Sequence, residues 1–196
     1  MKHKLYTQGF TLIEMMVAIT IAGILLAVAV PSFKDFITRN AVENLQSRFA
    51  SALNAARAEA AARNVVVSLC GSSDGLACAA NQWTAGWIVF IDTNANGIVE
   101  GEEILQTFKS ANAHPIKFKK ADGNALNVIS FTSQGFVRED TRAFATFCPL
   151  ETNNRHIRGI IIERSGRAMK SQPGSDGIHQ GAFDGPTVTA VPLTCS

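Results

Sequence analysis

GFTLIEMMVAITIAGILLAVAVP, residues 9 to 31, decides how the rest of the chain is read. From Leu12 to Val30 run 19 residues, of which only Glu14 is charged. As a helix this run is about 28 Å long, close to the roughly 30 Å of a bilayer's hydrocarbon core. Residues 10–30 therefore read as a transmembrane helix. Two other readings fit the same composition: a core helix of a soluble protein, or a secretory signal cleaved near Ala27-Val28-Ala29. The preceding residues argue against a signal. MKHKLYTQG is short, polar and positive, and it ends in glycine directly before Phe10. Glycine lets a protease approach the backbone closely. Cleavage between Gly9 and Phe10 would remove residues 1–9 as a leader and keep the apolar rod. Lys2 and Lys4 before the run balance Lys34 and Arg39 after it, so flanking charge gives no orientation.

The totals narrow the class. Apolar residues make up 46% of the 196 and charged residues 17%, which excludes a disordered tail or a charge-built nucleic-acid arm. A net charge of +2 gives no whole-molecule attraction to polyanions. The four cysteines all lie beyond residue 69. An even count in one region points to disulfides and an oxidising compartment, which places the C-terminal side outside the cytoplasm. Four cysteines allow three pairings. The expected one is Cys70 with Cys78, closing a short Gly/Ser loop, and Cys148 with Cys195. Buried free thiols are the alternative.

Beyond the rod, Pro31 removes a helix hydrogen bond and predicts a kink or local melting. Helical spacing then resumes: Val42, Leu45, Phe49, Leu53, Ala56 and Ala60 recur every three or four residues and form one apolar stripe. Glu59 and Arg63 stand four apart, a weak supporting pair. Residues 31–64 thus read as an amphipathic continuation. From Val65 the period changes. Residues 65–70, 86–92, 102–108, 127–131, 142–148 and 156–163 are rich in β-branched and aromatic side chains and read as strands. TVTAVPL (187–193) reads as an edge strand, because Pro192 cannot donate to a ladder. SQPGSDGIHQGAFDGP (171–186) reads as loop. The fold class is α+β: one long N-terminal helix packed on antiparallel sheet, with residues 65–196 as the head.

Gly9-Phe10-Thr11-Leu12-Ile13-Glu14 resembles the type IV prepilin signature of pilins and of the pseudopilins of type II secretion. The resemblance implies a prepilin peptidase that cuts after Gly9 and methylates the new N-terminus at Phe10. It also implies that Glu14 pairs with the N-terminal amine of a neighbouring subunit. An ionisable group in a membrane helix costs about 2.5–3.5 kcal/mol, and a nearby ammonium offsets that cost. In the head, ARAEAAARNVVVSLC (56–70), GWIVFIDTNANG (86–97) and GEEIL (101–105) resemble the GspH/FimT domain. That family implies a minor pilin or pseudopilin held in the inner membrane with a periplasmic head. Its partners would be major and minor subunits, and it would help to start or cap a filament. Two alternatives stay open: a DNA-receptor pilin for uptake, and a component of the type II secretion pseudopilus.

Three further motifs carry chemistry. Asp92, Asn94, Asn96, Gly97 and Glu103 fit the spacing of a Ca2+ loop, while the Asn96-Gly97 pair is equally a hairpin-turn signal. Gly71-Ser72-Ser73-Asp74-Gly75 fits the nucleophile-elbow pattern, but no helical pattern follows it, and His114, His156 and His179 lack matching context. No enzyme is expected. Residues 104–170 hold 11 Lys/Arg and 5 Asp/Glu, with Lys117, Lys119 and Lys120 in one group and Arg155, Arg158, Arg164, Arg167 and Lys170 in another. Such groups either face solvent or contact phosphates. DNA-capturing members of the resembled family carry G-R-x-R; here Gly166 and Arg167 match, Met169 stands at the second arginine, and Lys170 follows one place later. Lysine does not reproduce a bidentate arginine contact.

Overall fold

The structure, a computed structural model, describes residues 9–101, 103–110, 114–139, 142–150, 154–173, 179–183, 190–193 and 195. Residues 1–8 of the expected leader and 187–189 of the expected edge strand lie outside the described residues. Helix α1 (Leu12–Arg63) is 52 residues long. The chain divides into two units, Met1–Ile37 and Thr38–Ser196.

In the first unit the large apolar side chains from Phe10 to Ile37 lie exposed, and none of the most hydrophobic 18-residue window is buried within the chain. Of the kink or local melting that Pro31 predicts, melting does not occur: α1 continues through it. A single proline deletes one hydrogen bond of the ladder, and the turns on either side remain to hold the rod. Thr20, a polar residue within the rod, donates its hydroxyl to the Met16 carbonyl at 2.7 Å, so it carries no unmet donor into an apolar surround.

In the second unit α1 buries Val42, Leu45, Gln46, Phe49, Ala52, Leu53, Ala56 and Ala60. This is the apolar stripe read from the sequence, with Gln46 and Ala52 added. Two four-stranded antiparallel sheets receive it. The first has the order β3 (Ile104–Lys109), β2 (Gly86–Ile91), β1 (Val67–Gly71), β5 (Val128–Phe131). The second has the order β4 (Ile116–Lys120), β6 (Ala143–Phe147), β7 (Arg158–Ile162), β8 (Ala168–Lys170). A smaller sheet follows with β11 (Ala190–Pro192) and β9 (Gln172–Pro173) flanking β10 (His179–Phe183).

Phe49 joins the two larger sheets. Its ring is fully buried and meets Trp83 at 5.7 Å, Trp87 of β2 at 5.1 Å, Phe118 of β4 at 5.7 Å and Phe147 of β6 at 5.5 Å between centroids, all edge to face. Each such aromatic pair adds about 0.5–1.5 kcal/mol beyond the area it buries. One helix residue therefore ties together strands that share no ladder.

Every residue of β7 is buried. Toward the helix, the carbonyl of Gly159 accepts from Gln46 Nε2 at 2.8 Å. On the other side β10 lies against β7, and a Cβ added to Gly159 would meet Leu193 Cδ1 at 2.7 Å. The run HIRGIIIE reads as strand but carries no sign of this second cover. The stretch 171–186, expected as loop, contains β9 and β10. HQGAF is poor in β-branched residues, and pairing with β9 and β11 makes it a strand where local preference does not. The sequence IKFKK, read only as a lysine group, forms β4, with Ile116 and Phe118 inward and Lys119 outward.

Candidate assembly helix and head surfaces

Gly9 and Phe10 precede the helix and are exposed, Phe10 at 84%. Thr11 caps α1. Glu14 Oε2 accepts from the Thr11 backbone N–H at 2.9 Å and from its hydroxyl at 2.8 Å, while the Glu14 N–H reaches Thr11 Oγ1 at 3.3 Å. This is a capping box, whose sequence sign is Thr-x-x-Glu. The cleavage-and-assembly reading of TLIE overlooked it. In the single chain Glu14 is thus exposed and held by its own helix end.

The cysteine sulfurs join Cys70 to Cys78 and Cys148 to Cys195, and no described cysteine is free. The first bond closes the loop after β1. The second ties β6 to the strand-forming tail, where Lys117 Nζ also donates to the Cys195 carbonyl at 2.8 Å. In the first loop Ser72 Oγ accepts from the Gly75 N–H at 2.9 Å, Asp74 accepts from two backbone N–H groups, and no helix follows β1. The elbow motif is a closed turn; its backbone hydrogen bonds hold the Asp74 carboxyl below its usual range.

The loop after β2 closes on itself. Asp92 is fully buried; its oxygens accept from the N–H of Asn96 and of Gly97, each at 3.0 Å, and from Ser68 Oγ at 2.6 Å. Asn94 and Asn96 donate to Glu100, and Glu103 faces Arg63 at 3.0 Å. Among the described residues no three His, Cys, Asp or Glu side chains gather as metal ligands. Arg63 also pairs with Glu59 at 2.7 Å, so the helix end and the edge of β3 share one cation.

The basic groups do not form one face. Arg158 points into the protein: its side chain is 7% exposed, bonds Glu43 at 2.8 Å and donates to the carbonyls of Arg155 and Ile157. That pairing holds the Glu43 carboxyl below its usual range. Lys170 donates to Ser47 of α1 at 3.0 Å, on the helix side of its sheet. Met169, one residue earlier, takes the opposite face, as alternation along β8 requires. A one-place shift in the motif is therefore a change of face. Arg164 and Arg167 remain exposed on the turn between β7 and β8. Gly166 makes that turn at φ +77°, and a Cβ there would run into the Gly135 carbonyl oxygen. Half-exposed Phe136 follows Gly135 directly, and the Val137 N–H bonds the Arg164 carbonyl at 2.9 Å.

Residues 46–166 match the family described as Type II transport protein GspH, and residues 5–30 match the Prokaryotic N-terminal methylation motif. The chain is 28% identical over 166 residues to the Pilin-like protein PilA1 of Thermus thermophilus, an alignment covering 82% of this chain and 96% of that protein. A 40-residue stretch is 45% identical to the Type IV major fimbrial protein FimA of Dichelobacter nodosus, covering 20% of this chain and 26% of that one. In fold, the crystal structure of the type IV minor pilin FimU of Pseudomonas aeruginosa superposes with a TM-score of 0.53 at 20% identity, over 70% of this chain and 92% of that one. The chain belongs to the GspH family of minor pilins and pseudopilins, with the type IV pilin fold and the prepilin methylation motif.

Proposed function

We propose that this chain is a filament subunit stored in the inner membrane with its head in the periplasm. A prepilin peptidase removes residues 1–9 and methylates Phe10. The freed rod then leaves the bilayer and packs among the rods of other major and minor subunits, where it helps to start or cap a pilus or pseudopilus. One observation carries this reading: from Leu12 to Val30 α1 exposes an apolar surface whose one charged group is Glu14, near its start. Lipid covers that surface before assembly and neighbouring rods cover it afterwards. Glu14 then trades its Thr11 cap for a neighbour's amine. The role is structural rather than catalytic. The test is N-terminal sequencing and mass analysis of the filament-borne product. A methylated Phe10 at position one supports the reading, and any other first residue overturns it. Whether that filament is a pilus or a secretion pseudopilus is read from the same preparation by its other subunits.

A DNA-contacting role is favoured by a separate arrangement. Arg164 and Arg167 stand exposed on one turn with Phe136 beside it. Arginines contact phosphates and an aromatic face takes a base. Arg167→Ala should weaken DNA retention, and retention should fall as salt rises; unchanged retention removes this reading.

A further inference from the structure

Two cavities lie between α1 and the strand β3. The larger, about 450 Å³, is lined by Asn44, Leu45, Arg48 and Phe108 among others. The smaller, about 280 Å³, is lined by Arg48, Ser51, Trp87, Gln106, Thr107 and Phe108. Arg48 and Phe108 belong to both, and the Arg48 guanidinium stands 5.6 Å from the Phe108 ring centre. Among the described residues neither lining contains an Asp or Glu, so exposed Arg48, its Nε donated to Asn44 Oδ1 at 2.8 Å, gives the groove a positive charge.

Two unmet demands meet here. β3 is an edge strand, paired only with β2 among the described residues. The Ser110 N–H bonds the Ala85 carbonyl at 2.9 Å, and this fixes the alternation of the ladder. Thr107 and Lys109 therefore turn their own N–H and C=O groups away from β2, toward the open edge. The second demand is Trp87. It is 1% exposed and stacked on Phe108 at 4.0 Å, and its Nε1–H has no acceptor among the described residues. Trp83, the other tryptophan, gives its Nε1–H to the Leu126 carbonyl at 2.7 Å. A buried donor left unmet is unfavourable, because it has given up its water and gained no acceptor. An open edge is likewise a template for one more strand.

We propose that the groove receives an extended, acidic segment of a neighbouring filament subunit. The segment adds to β3 as a fifth strand and places one carboxylate in the smaller cavity, against Arg48 and the Trp87 indole N–H. Backbone pairing at Thr107 and Lys109 fixes its register, and the carboxylate selects it over neutral or basic segments. This rests on the filament reading above, since that reading supplies the neighbour.

The full chain tests it in cells that assemble the filament. A photo-crosslinking phenylalanine replaces Gln106 in one strain and Lys119, an exposed residue of the other sheet, in a second. The expected result is at least tenfold more adduct at position 106, mapped to one extended peptide bearing Asp or Glu, and a tenfold drop when Arg48→Glu is added. A synthetic copy of that peptide, titrated into 15N-tryptophan-labelled full chain in detergent, should move the Trp87 indole signal and leave the Trp83 signal in place. Equal adducts at both positions, a neutral or basic partner peptide, or an unmoved Trp87 signal overturns the proposal. Immunogold labelling separates the two readings. A chain present in filaments without the adduct refutes the groove alone, and a chain absent from filaments refutes the filament reading.

Discussion

The two parts of α1 are apolar in different ways. From Leu12 to Val30 the apolar residues surround the helix and lie exposed, with none of the most hydrophobic window buried among the described residues. From Val42 to Ala60 they keep to one stripe, and that stripe is the centre of the head's core. Continuity of hydrophobicity implies a cover from outside the chain, whereas periodicity implies a cover supplied by it. One helix thus carries two kinds of instruction, one for assembly and one for folding.

The sharpest way to break this contrast is at Phe49. Phe49→Ala removes the ring that touches both large sheets and should destabilise the head by about 3–5 kcal/mol in denaturant titration. Leader removal should persist, because the cleavage site lies in the other unit. The reverse experiment places a charge in the rod. Ala22→Lys should cost about 2.5–3.5 kcal/mol in a membrane-insertion assay. It should leave the midpoint of head unfolding unchanged. If both variants damaged both readouts equally, the two parts would not be separable.

Glu43 sharpens the comparison within the folded unit. Glu43→Gln leaves the Arg158 guanidinium buried without its carboxylate and should cost about 1–3 kcal/mol at neutral pH. The Glu43 carboxyl is lowered in the fold, chiefly by its hydrogen bond from Arg158. Its contribution is therefore present above the ordinary carboxylate pKa and disappears as pH falls through the lowered one. Glu139 behaves oppositely. Burial raises its carboxyl above the ordinary 4.5. The fold then holds a proton that the unfolded chain releases, and stability drops as pH rises from 4.5 through the raised value. Glu139→Gln should keep the Ser130 N–H bond and flatten that part of the profile, gaining stability at neutral pH. The smallest effect is expected at the loop 92–103. With both Asp92 oxygens engaged and Glu103 on Arg63, a Ca2+ titration should release almost no heat.

Local pattern made some of this legible and not the rest. The rod, the stripe and strands β1, β2, β3, β5, β6, β7 and β11 show in runs of apolar or β-branched residues. The pilin-like class follows from those runs together with the GFTLIE signature. β10 did not show, because His179–Phe183 becomes a strand through its neighbours. The inward turn of Arg158 was invisible as well: its partner Glu43 is 115 residues away, and a basic cluster reads the same whether its members face water or a carboxylate. The opposite faces of Met169 and Lys170 needed only the register of β8. The groove beside β3 needed the complete packing, since nothing in residues 104–109 announces which edge of a sheet stays open. The Thr11-Glu14 cap stood in plain view, masked by a second meaning of the same four letters.

The double cover over β7 has a consequence for export. Reducing the Cys148–Cys195 link would loosen the outer lid while α1 still dried the inner side. A molecule caught where thiols stay reduced would then be shaped but sticky, with Leu193 free to lift from Gly159. Oxidation would act as proof of delivery, sealing the greasy seam only after the head had reached a place where sulfur bonds last.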